Sequence, residues 1–434
     1  MGIDVLLGAN PKILVVGGGG REHAIIWRLR KDRPDADLYC APGNAGTADI
    51  ARSINIGAGD VANLVAWARS DRPDVVVVGP EEPLIAGLVD ELAGVDIAAF
   101  GPRRSAAEIE GSKAFSSALL ARIGAPAPAH RTFDDAGAAF AYAQEANHSI
   151  VVKADGPALG KGVTVCDTPK EAQDAISRSM VDGAFGAAGR RVVMQERLRG
   201  PELSVLVVSD GRNFRTLGVA RDYKRAGDGD TGPNTGGMGS YTPVKEASTD
   251  LVSRVEQEII GPVLNALRED ERPYVGVLYA GLVLTEDGPK AIEFNCRMGD
   301  PETQVLLPVL TCDFADLIHA TLSGALDQKV VSSCHQAAVA VVLTSEGYPG
   351  PTVTGHPIQG LDSAEPSLVF HGGTKRHDGN IRTAGGRVLA TVGIADELST
   401  ARDQAYARAS SIQFHGVTYR TDIAAETAAP VTAS

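Results

Sequence analysis

A chain of 434 residues, 44% of them hydrophobic, is long enough for about two to four domains that bury their cores without disulfides or a structural metal. Its net charge of −13 argues against a general nucleic-acid or anionic-membrane surface but leaves room for a local basic pocket. Five scattered cysteines (Cys40, Cys166, Cys296, Cys312, Cys334) without a Cys-x-x-Cys pair read as reduced thiols of a cytoplasmic protein, and no window approaches the roughly 18 apolar residues of a membrane span.

Residues 1–11 carry neither the basic start nor the apolar run of a secretion signal and are expected to form a loose extension. Lys12 to Val16 predicts a buried strand from its β-branched apolar run, Gly17 to Gly20 a tight turn, and His23 to Arg30 a helix. A second strand, Asp37 to Cys40, runs into the loop Pro42-Gly43-Asn44-Ala45-Gly46-Thr47. Then come a helix after Asp60, a strand from Asp74 to Val78, the loop Gly79-Pro80-Glu81-Glu82-Pro83, a helix from Leu84 to Leu92, and a short strand from Ile97 to Phe100. Strands alternating with helices predict a parallel sheet with right-handed crossovers. Ligands of such sheets sit beyond the carboxyl ends of the strands, here at these loops. The first loop fails as a dinucleotide site: Glu22 stands where G-x-G-x-x-G needs its third glycine, and the second strand ends without an acidic residue for a ribose. The turn and helix N-terminus can still hold a smaller phosphate, helped by Arg21.

After Gly101-Pro102 the pattern changes. Ser112-Lys113 opens a helix, residues from about 126 to 195 read as a small α+β unit, and strands predominate after Val330. The Ala-rich end from about Ala424 is expected to fray. Within the small unit, two strands flank Gly156-Pro157-Ala158-Leu159-Gly160-Lys161-Gly162. This is not a Walker loop, because three residues separate Gly156 from Gly160 and Gly162 follows Lys161. A hairpin flap over a triphosphate fits, its glycines allowing close backbone approach. Lys153 reaches the phosphates from its strand and Lys113 from a helix start. Gln195, Glu196 and Leu198 end an apolar strand in a polar bend suited to adenine, with Glu202 placed for ribose hydroxyls. This element is weak by itself. Asp222-Tyr223-Lys224-Arg225 leads into the glycine-rich stretch 228–239, which is either a mobile loop or backbone wrapped round a ligand. The next strand ends by presenting Glu293, Asn295 and Arg297 on one face, since strand side chains alternate. Hard oxygen donors of this kind hold Mg²⁺ arriving with phosphates. An arginine beside them neutralises charge developing during phosphoryl or acyl transfer. An ordinary Glu–Arg pair at a strand edge is the alternative.

In this order, Gly19-Gly20-Arg21-Glu22-His23, Pro42 to Thr47, Gly79-Pro80-Glu81, Glu110-Gly111-Ser112-Lys113, Lys153-Ala154-Asp155-Gly156, Gly232 to Gly239 and Glu293 to Glu302 resemble the ATP-grasp superfamily. More closely, they resemble the glycinamide ribonucleotide synthetase family, over about residues 12–425. The resemblance implies an α/β fold: an N-terminal preATP-grasp parallel-sheet domain (12–111), a two-subdomain ATP-grasp module (112–330, flap subdomain about 126–195) and a small C-terminal β-rich hybrid-motif domain (331–426). It implies ligation of glycine to 5-phosphoribosylamine through glycyl phosphate, giving glycinamide ribonucleotide, ADP and phosphate, the second step of purine synthesis. ATP and Mg²⁺ (or Mn²⁺) are the implied cofactors. The implied partners are small molecules, with no nucleic acid or membrane, and a monomer is expected.

Carried over by motif, Glu293 and Asn295 hold the metal, and Arg297 and Lys153 are catalytic. ATP falls to Lys113, Lys153, Gly156, Gly160, Lys161, Gly162, Gln195, Glu196, Leu198 and Glu202. Substrate falls to Gly19, Gly20, Arg21, Glu22, Asn44, Gly46, Thr47, Pro80, Glu81, Asp222, Lys224, Asn234, Thr235, Gly236, Arg297 and Asp300. The flap glycines and the 226–239 loop are the expected covers against water. Turns at Gly372 to Lys375 and Ala384 to Val388 are expected near the rim of the site. Some positions depart from the family pattern: Gly18 for Asn, Tyr223 for His, Met298 for Phe and Gln195 for Glu. Leu278 to Leu282 also lacks the further metal-binding carboxylate of many ATP-grasp enzymes, so a second metal would lean on ATP, water and Glu293. The rival readings are an ATP-grasp carboxylase that uses bicarbonate and a nucleotide sensor without catalysis.

Overall fold

Five parallel strands make the N-terminal sheet, in the order Arg52–Ser53, Asp37–Pro42, Lys12–Gly17, Val75–Val78, Ala99–Phe100. The computed structural model describes residues 8, 10–146, 148–157, 162–362 and 367–425. Most of the expected N-terminal extension lies outside these residues, as do Gly160 and Lys161 of the flap. The chain leaves the central strand Lys12–Gly17 to one side and returns on the other. The carboxyl ends of Lys12–Gly17 and Val75–Val78 therefore flank a topological switch point, where sheets of this kind bind ligands.

Helix Gly20–Asp32 starts three residues earlier than expected, because Glu22 accepts from the Gly19 N–H at 2.6 Å in a capping box. Glu81 is not in a loop: Pro80 caps helix Glu81–Ala86, which begins there. The single helix expected from Leu84 to Leu92 is two, Glu81–Ala86 and Leu88–Ala93, divided at Gly87 with φ 93°. A left-handed glycine ends a helix at little cost, which a hydrophobic pattern does not reveal.

The large sheet has eight strands, antiparallel at each pairing: Gly288–Asn295, Val275–Thr285, Glu202–Asp210, Phe214–Asp222, Gly239–Thr242, Ala337–Thr344, Arg387–Ala395 and Leu368–His371. The last three belong to the C-terminal part, so the expected C-terminal β structure extends the sheet of the central part edge to edge. Alternation along the strands separates two cores. Val339, Val341 and Leu343 face one; Ala338, Ala340 and Val342 face the other, with Ile25, Ile26 and Leu29 of the first helix. Helix Leu398–Ser411 covers the first face through Ala401, Ala405 and Ala409. Alanines carry little hydrophobic signal, so this helix is faint in the sequence. Ala424, expected to fray, is 1% exposed, and its N–H donates to the Tyr223 hydroxyl at 2.9 Å; residues 426–434 lie outside the described ones.

The flap subdomain is a four-stranded antiparallel sheet, His130–Phe133, Val192–Glu196, Ile150–Ala154, Val163–Cys166, with its own small core around Phe133, Ile150, Val152 and Met194. Chain returning from it passes Gly200, at φ 145°, where a Cβ would fall 1.9 Å from the Leu284 carbonyl oxygen. Gly200→Ala is expected to lower stability by about 2 kcal/mol through this strain, read as a lower urea midpoint. A midpoint equal to wild type would show that the turn tolerates a side chain.

Candidate active site

The site is built outward from the edge strand Gly288–Asn295. Glu293 and Asn295 share its face, and Gly281 across the pairing leaves room for Glu293: a Cβ there would lie 2.8 Å from Glu293 Cγ. Lys224 Nζ donates to Glu293 Oε1 at 3.1 Å and lies 3.4 Å from Glu202 Oε2. Lys224 outweighs burial and, with Lys153, holds the Glu293 carboxyl at about 2, so it is ionised at neutral pH. Lys153 is 6% exposed and donates to the Ile292 carbonyl at 2.8 Å. Lys113 Nζ donates to the Gly156 carbonyl at 3.0 Å. Beside it, Asp155 accepts from Ser112 Oγ and the Ala114 N–H, each at 2.9 Å, which fastens the flap hairpin to the start of helix Lys113–Ile123. Lys113, Lys153 and Lys224 thus converge on Glu293, an excess of positive charge suited to a polyphosphate.

Burial lowers the Lys153 ammonium to about 8; Glu293 opposes this, and Lys113 and Lys224 reinforce it. Below that pH the charge is present, and above it the charge is lost. The kcat/KM for ATP, which reports the free enzyme, is expected to fall as pH rises past about 8. Lys153→Arg should remove that limb, since guanidinium stays protonated. An unchanged limb in the variant would assign it to another group.

Glu293 and Asn295 are two adjacent hard oxygen donors, and they fit a Mg²⁺ that keeps waters and takes its other ligands from phosphate. Among the described residues no group of three or more His, Cys, Asp or Glu side chains could hold a metal. A metal held by Glu293 and Asn295 would take its remaining ligands from the nucleotide and water.

Arg297 joins this wall to the N-terminal sheet. Its Nε donates to Glu81 Oε2 at 3.1 Å, and Nη2 lies 3.3 Å from Asn295 Oδ1 and 3.5 Å from Glu110 Oε1. Burial works against the guanidinium charge, but Glu110 and Glu81 more than offset it. Burial likewise opposes the Glu81 charge, yet Arg297 and Arg21 hold that carboxyl at about 2. Burial pushes Glu110 upward, with Arg297 pulling against it, and Glu110 Oε2 accepts from the Cys296 N–H at 2.6 Å. Glu110 is a site residue that sequence reasoning missed: its motif was recognised, but a Glu near a helix end looks solvent-facing.

The adenine element is partly used up within the protein. Gln195, 7% exposed, donates to Ser117 Oγ at 3.3 Å, and Glu196 Oε1 accepts from the Ala129 N–H at 3.1 Å. Leu198 is half-buried and Glu202 exposed. Asp222 lies beside Lys224, and burial pushes its carboxyl up to about 8 against the pull of Lys224.

Asn44 and Thr47, expected on the substrate, are braces. Asn44 Nδ2 donates to the Gly18 and His371 carbonyls at 3.0 and 2.7 Å, while Oδ1 accepts from the Gly46 and Thr47 N–H groups at 2.9 and 3.0 Å. Thr47 Oγ1 accepts from the Asn44 N–H at 2.7 Å. Those bonds shape the loop. Gly46 is tightly packed: a Cβ would fall 2.4 Å from His23 Cε1. Nor is the Gly19 N–H available to a phosphate, because Glu22 holds it. Arg21, 6% exposed, is bound to Glu22 Oε1 at 2.6 Å and to the Met298 carbonyl at 3.1 Å.

The stretch expected to be a mobile cover is anchored instead. Arg225–Gly227 and Thr231–Asn234 pair as a hairpin, which the chain end grips: Arg420 donates to Asp230 Oδ1 at 2.7 Å and to the Arg225 carbonyl at 3.1 Å, and Gly229 N–H donates to Asp422 at 2.8 Å. Thr235 Oγ1 donates to the Lys224 carbonyl at 3.0 Å and accepts from Gly237 N–H at 3.0 Å. Closure by this segment is thereby disfavoured.

Beyond the hairpin, a cavity of about 100 Å³ is lined by Gly18 to Gly20, Asp300, Gln304, Phe370, Gly372, Gly373 and Arg387. It is smaller than the roughly 300–1,000 Å³ of pockets for drug-sized ligands. Gly372 and Gly373 of one expected turn border it, as does Arg387 of the other; Gln304 was not foreseen. Gln304 and Arg387 both hold Asp300: Gln304 Nε2 donates to Oδ1 at 2.7 Å and Arg387 Nη2 to Oδ2 at 3.0 Å.

These parts, in this order, match one synthetase family along most of the chain. Residues 11–110 match the phosphoribosylglycinamide synthetase N domain, 111–303 its ATP-grasp (A) domain and 338–426 its C domain. The chain belongs to the phosphoribosylglycinamide synthetase family. A phosphoribosylamine–glycine ligase of Rhodopirellula baltica is 44% identical to this family member over 421 residues, 95% of this chain and 96% of its own length. The crystal structure of the phosphoribosylamine–glycine ligase of Thermotoga maritima superposes with a TM-score of 0.85 at 32% identity, covering 95% of this chain and 100% of that one. A biotin carboxylase of Campylobacter jejuni, solved with β,γ-ATP, shares the fold at a TM-score of 0.72 and 15% identity, covering 94% of this chain and 93% of its own. No helix among the described residues is long and apolar enough to cross a membrane.

Proposed function

We propose that this chain ligates glycine to 5-phosphoribosylamine at the expense of ATP, through glycyl phosphate, as the second step of purine synthesis. The observation that carries the reading is Arg297, which touches Asn295 of the phosphate wall and Glu81 of the N-terminal sheet. The nucleotide end and the sugar end of the site therefore meet at one guanidinium. Lys113, Lys153 and Lys224 hold the phosphates while the glycine carboxylate attacks the γ-phosphorus. Phosphoryl transfer asks mainly for positioning and charge neutralisation, which this set supplies. Glu293 and Asn295 would hold Mg²⁺ (or Mn²⁺), which would supply Lewis-acid neutralisation of the phosphate charge. Arg297 then faces the oxyanion formed when the sugar amine attacks the acyl carbon, with phosphate leaving. The docked flap keeps water from the acyl phosphate. Asp300 lies on the sugar side. The reading includes the division at 12–111, 112–330 and 331–426, a monomer, and a cytoplasmic setting.

The test is ADP release with ATP and Mg²⁺, adding glycine and phosphoribosylamine singly and together. Release that needs both, with equal glycinamide ribonucleotide, supports the reading. Release with bicarbonate in place of glycine would make the chain a carboxylase, and ATP binding without any turnover would make it a sensor.

A further inference from the structure

We propose that Arg387 is a positioning residue for the sugar substrate, acting through Asp300. The proposal rests on the reading that the cavity beside Asp300 receives 5-phosphoribosylamine. Arg387 comes from the C-terminal part of the chain, at the start of strand Arg387–Ala395, 87 residues beyond Asp300. Its guanidinium grips that residue twice: Nη1 donates to the main-chain carbonyl at 2.8 Å and Nη2 to Oδ2 at 3.0 Å. Nη1 also donates to the Gly236 carbonyl at 2.6 Å. Gly236 is what lets the guanidinium pass, since a Cβ there would lie 3.0 Å from Cζ. Gln304 Nε2 takes the other carboxylate oxygen at 2.7 Å. The carboxylate is thus fixed from both sides at the lining of the cavity of about 100 Å³. An ionised carboxylate only accepts hydrogen bonds, and a pentose offers donors in its hydroxyls. Arg387 lines the cavity beside Asp300 and not the small one around Arg297, so its effect is expected on sugar binding.

Four groups face Asp300 besides the cavity: Arg387, Arg21, Gln304 and Arg297, with Glu22 on the far side of Gly19. Arg387 does most to offset burial and keep the carboxyl below its ordinary range. Removing it should let the Asp300 carboxyl titrate at higher pH.

The experiment is steady-state kinetics of Arg387→Met, Asp300→Asn and the double variant, with phosphoribosylamine formed from ribose 5-phosphate and ammonia. For Arg387→Met, KM for the sugar amine is expected to rise roughly 10- to 100-fold, the worth of a hydrogen bond to a charged group. KM for ATP and glycine should stay within about twofold, and the acidic limb of kcat/KM for the sugar should move to higher pH. The double variant should match Asp300→Asn alone. Additive losses would overturn the proposal by showing that Arg387 acts independently of Asp300. An equal rise in all three KM values would overturn it in favour of a general structural role. Should Arg387→Met not fold, Arg387→Lys carries the test: a smaller rise confined to the sugar KM supports it, and wild-type kinetics refutes it. A wild-type enzyme that does not use phosphoribosylamine would instead defeat the underlying reading.

Discussion

Glu293→Gln is expected to abolish Mg²⁺-dependent turnover, with kcat falling by about 10³-fold or more. That is the several kcal/mol a Lewis acid contributes to the transition state, converted at about 1.4 kcal/mol per factor of ten. The substitution keeps the shape of the side chain and leaves Lys224, 3.1 Å away, an oxygen to donate to. It removes the negative charge that Lys224 holds fully ionised and that a divalent cation needs. ADP release titrated with Mg²⁺ is the measurement. A titration matching wild type would take the metal off Glu293.

Arg297→Ala is expected to lower kcat by about 10²–10³ while ATP still binds, by analogy with loss of one transition-state donor. A second effect is structural. Glu81 and Glu110 lose the cation between them, and removing one partner of a buried ion pair costs roughly 3–5 kcal/mol. Arg297→Lys separates the two effects, because it restores a charge but not a planar fork that reaches Asn295, Glu81 and Glu110 together. Its melting temperature should return most of the way while its single-turnover rate stays low. A rate that recovers with stability would mean that Arg297 serves the fold and not the chemistry.

The N-terminal sheet and the Glu293–Asn295–Arg297 wall were legible because both are local. A β-branched run such as Val75–Val78 signals its own strand, and alternation alone sets residues two apart on one face. The partners of those residues were not legible. Arg297 meets Glu81 across 216 positions and Arg387 meets Asp300 across 87, and spacing within a motif says nothing about such distances. The bracing by Asn44 was illegible for a related reason: a polar residue among glycines reads as a ligand contact, and its hydrogen bonds within the protein show only in the fold. The glycines of the 228–239 stretch suggested mobility, and only the return of Arg420 and Asp422 from the far end of the chain fixes that hairpin. Arg387 follows two glycines in what looked like a hairpin turn, so its guanidinium carried no sign of a role at a site made by other parts of the chain.

The most direct measurement of the chemistry is oxygen transfer from glycine labelled with ¹⁸O in its carboxylate, in a reaction with ATP, Mg²⁺ and phosphoribosylamine. Attack of the carboxylate on the γ-phosphate carries one labelled oxygen into the released phosphate for each glycinamide ribonucleotide made, and that is the expected result. Unlabelled phosphate accompanying full product formation would contradict activation of glycine as an acyl phosphate.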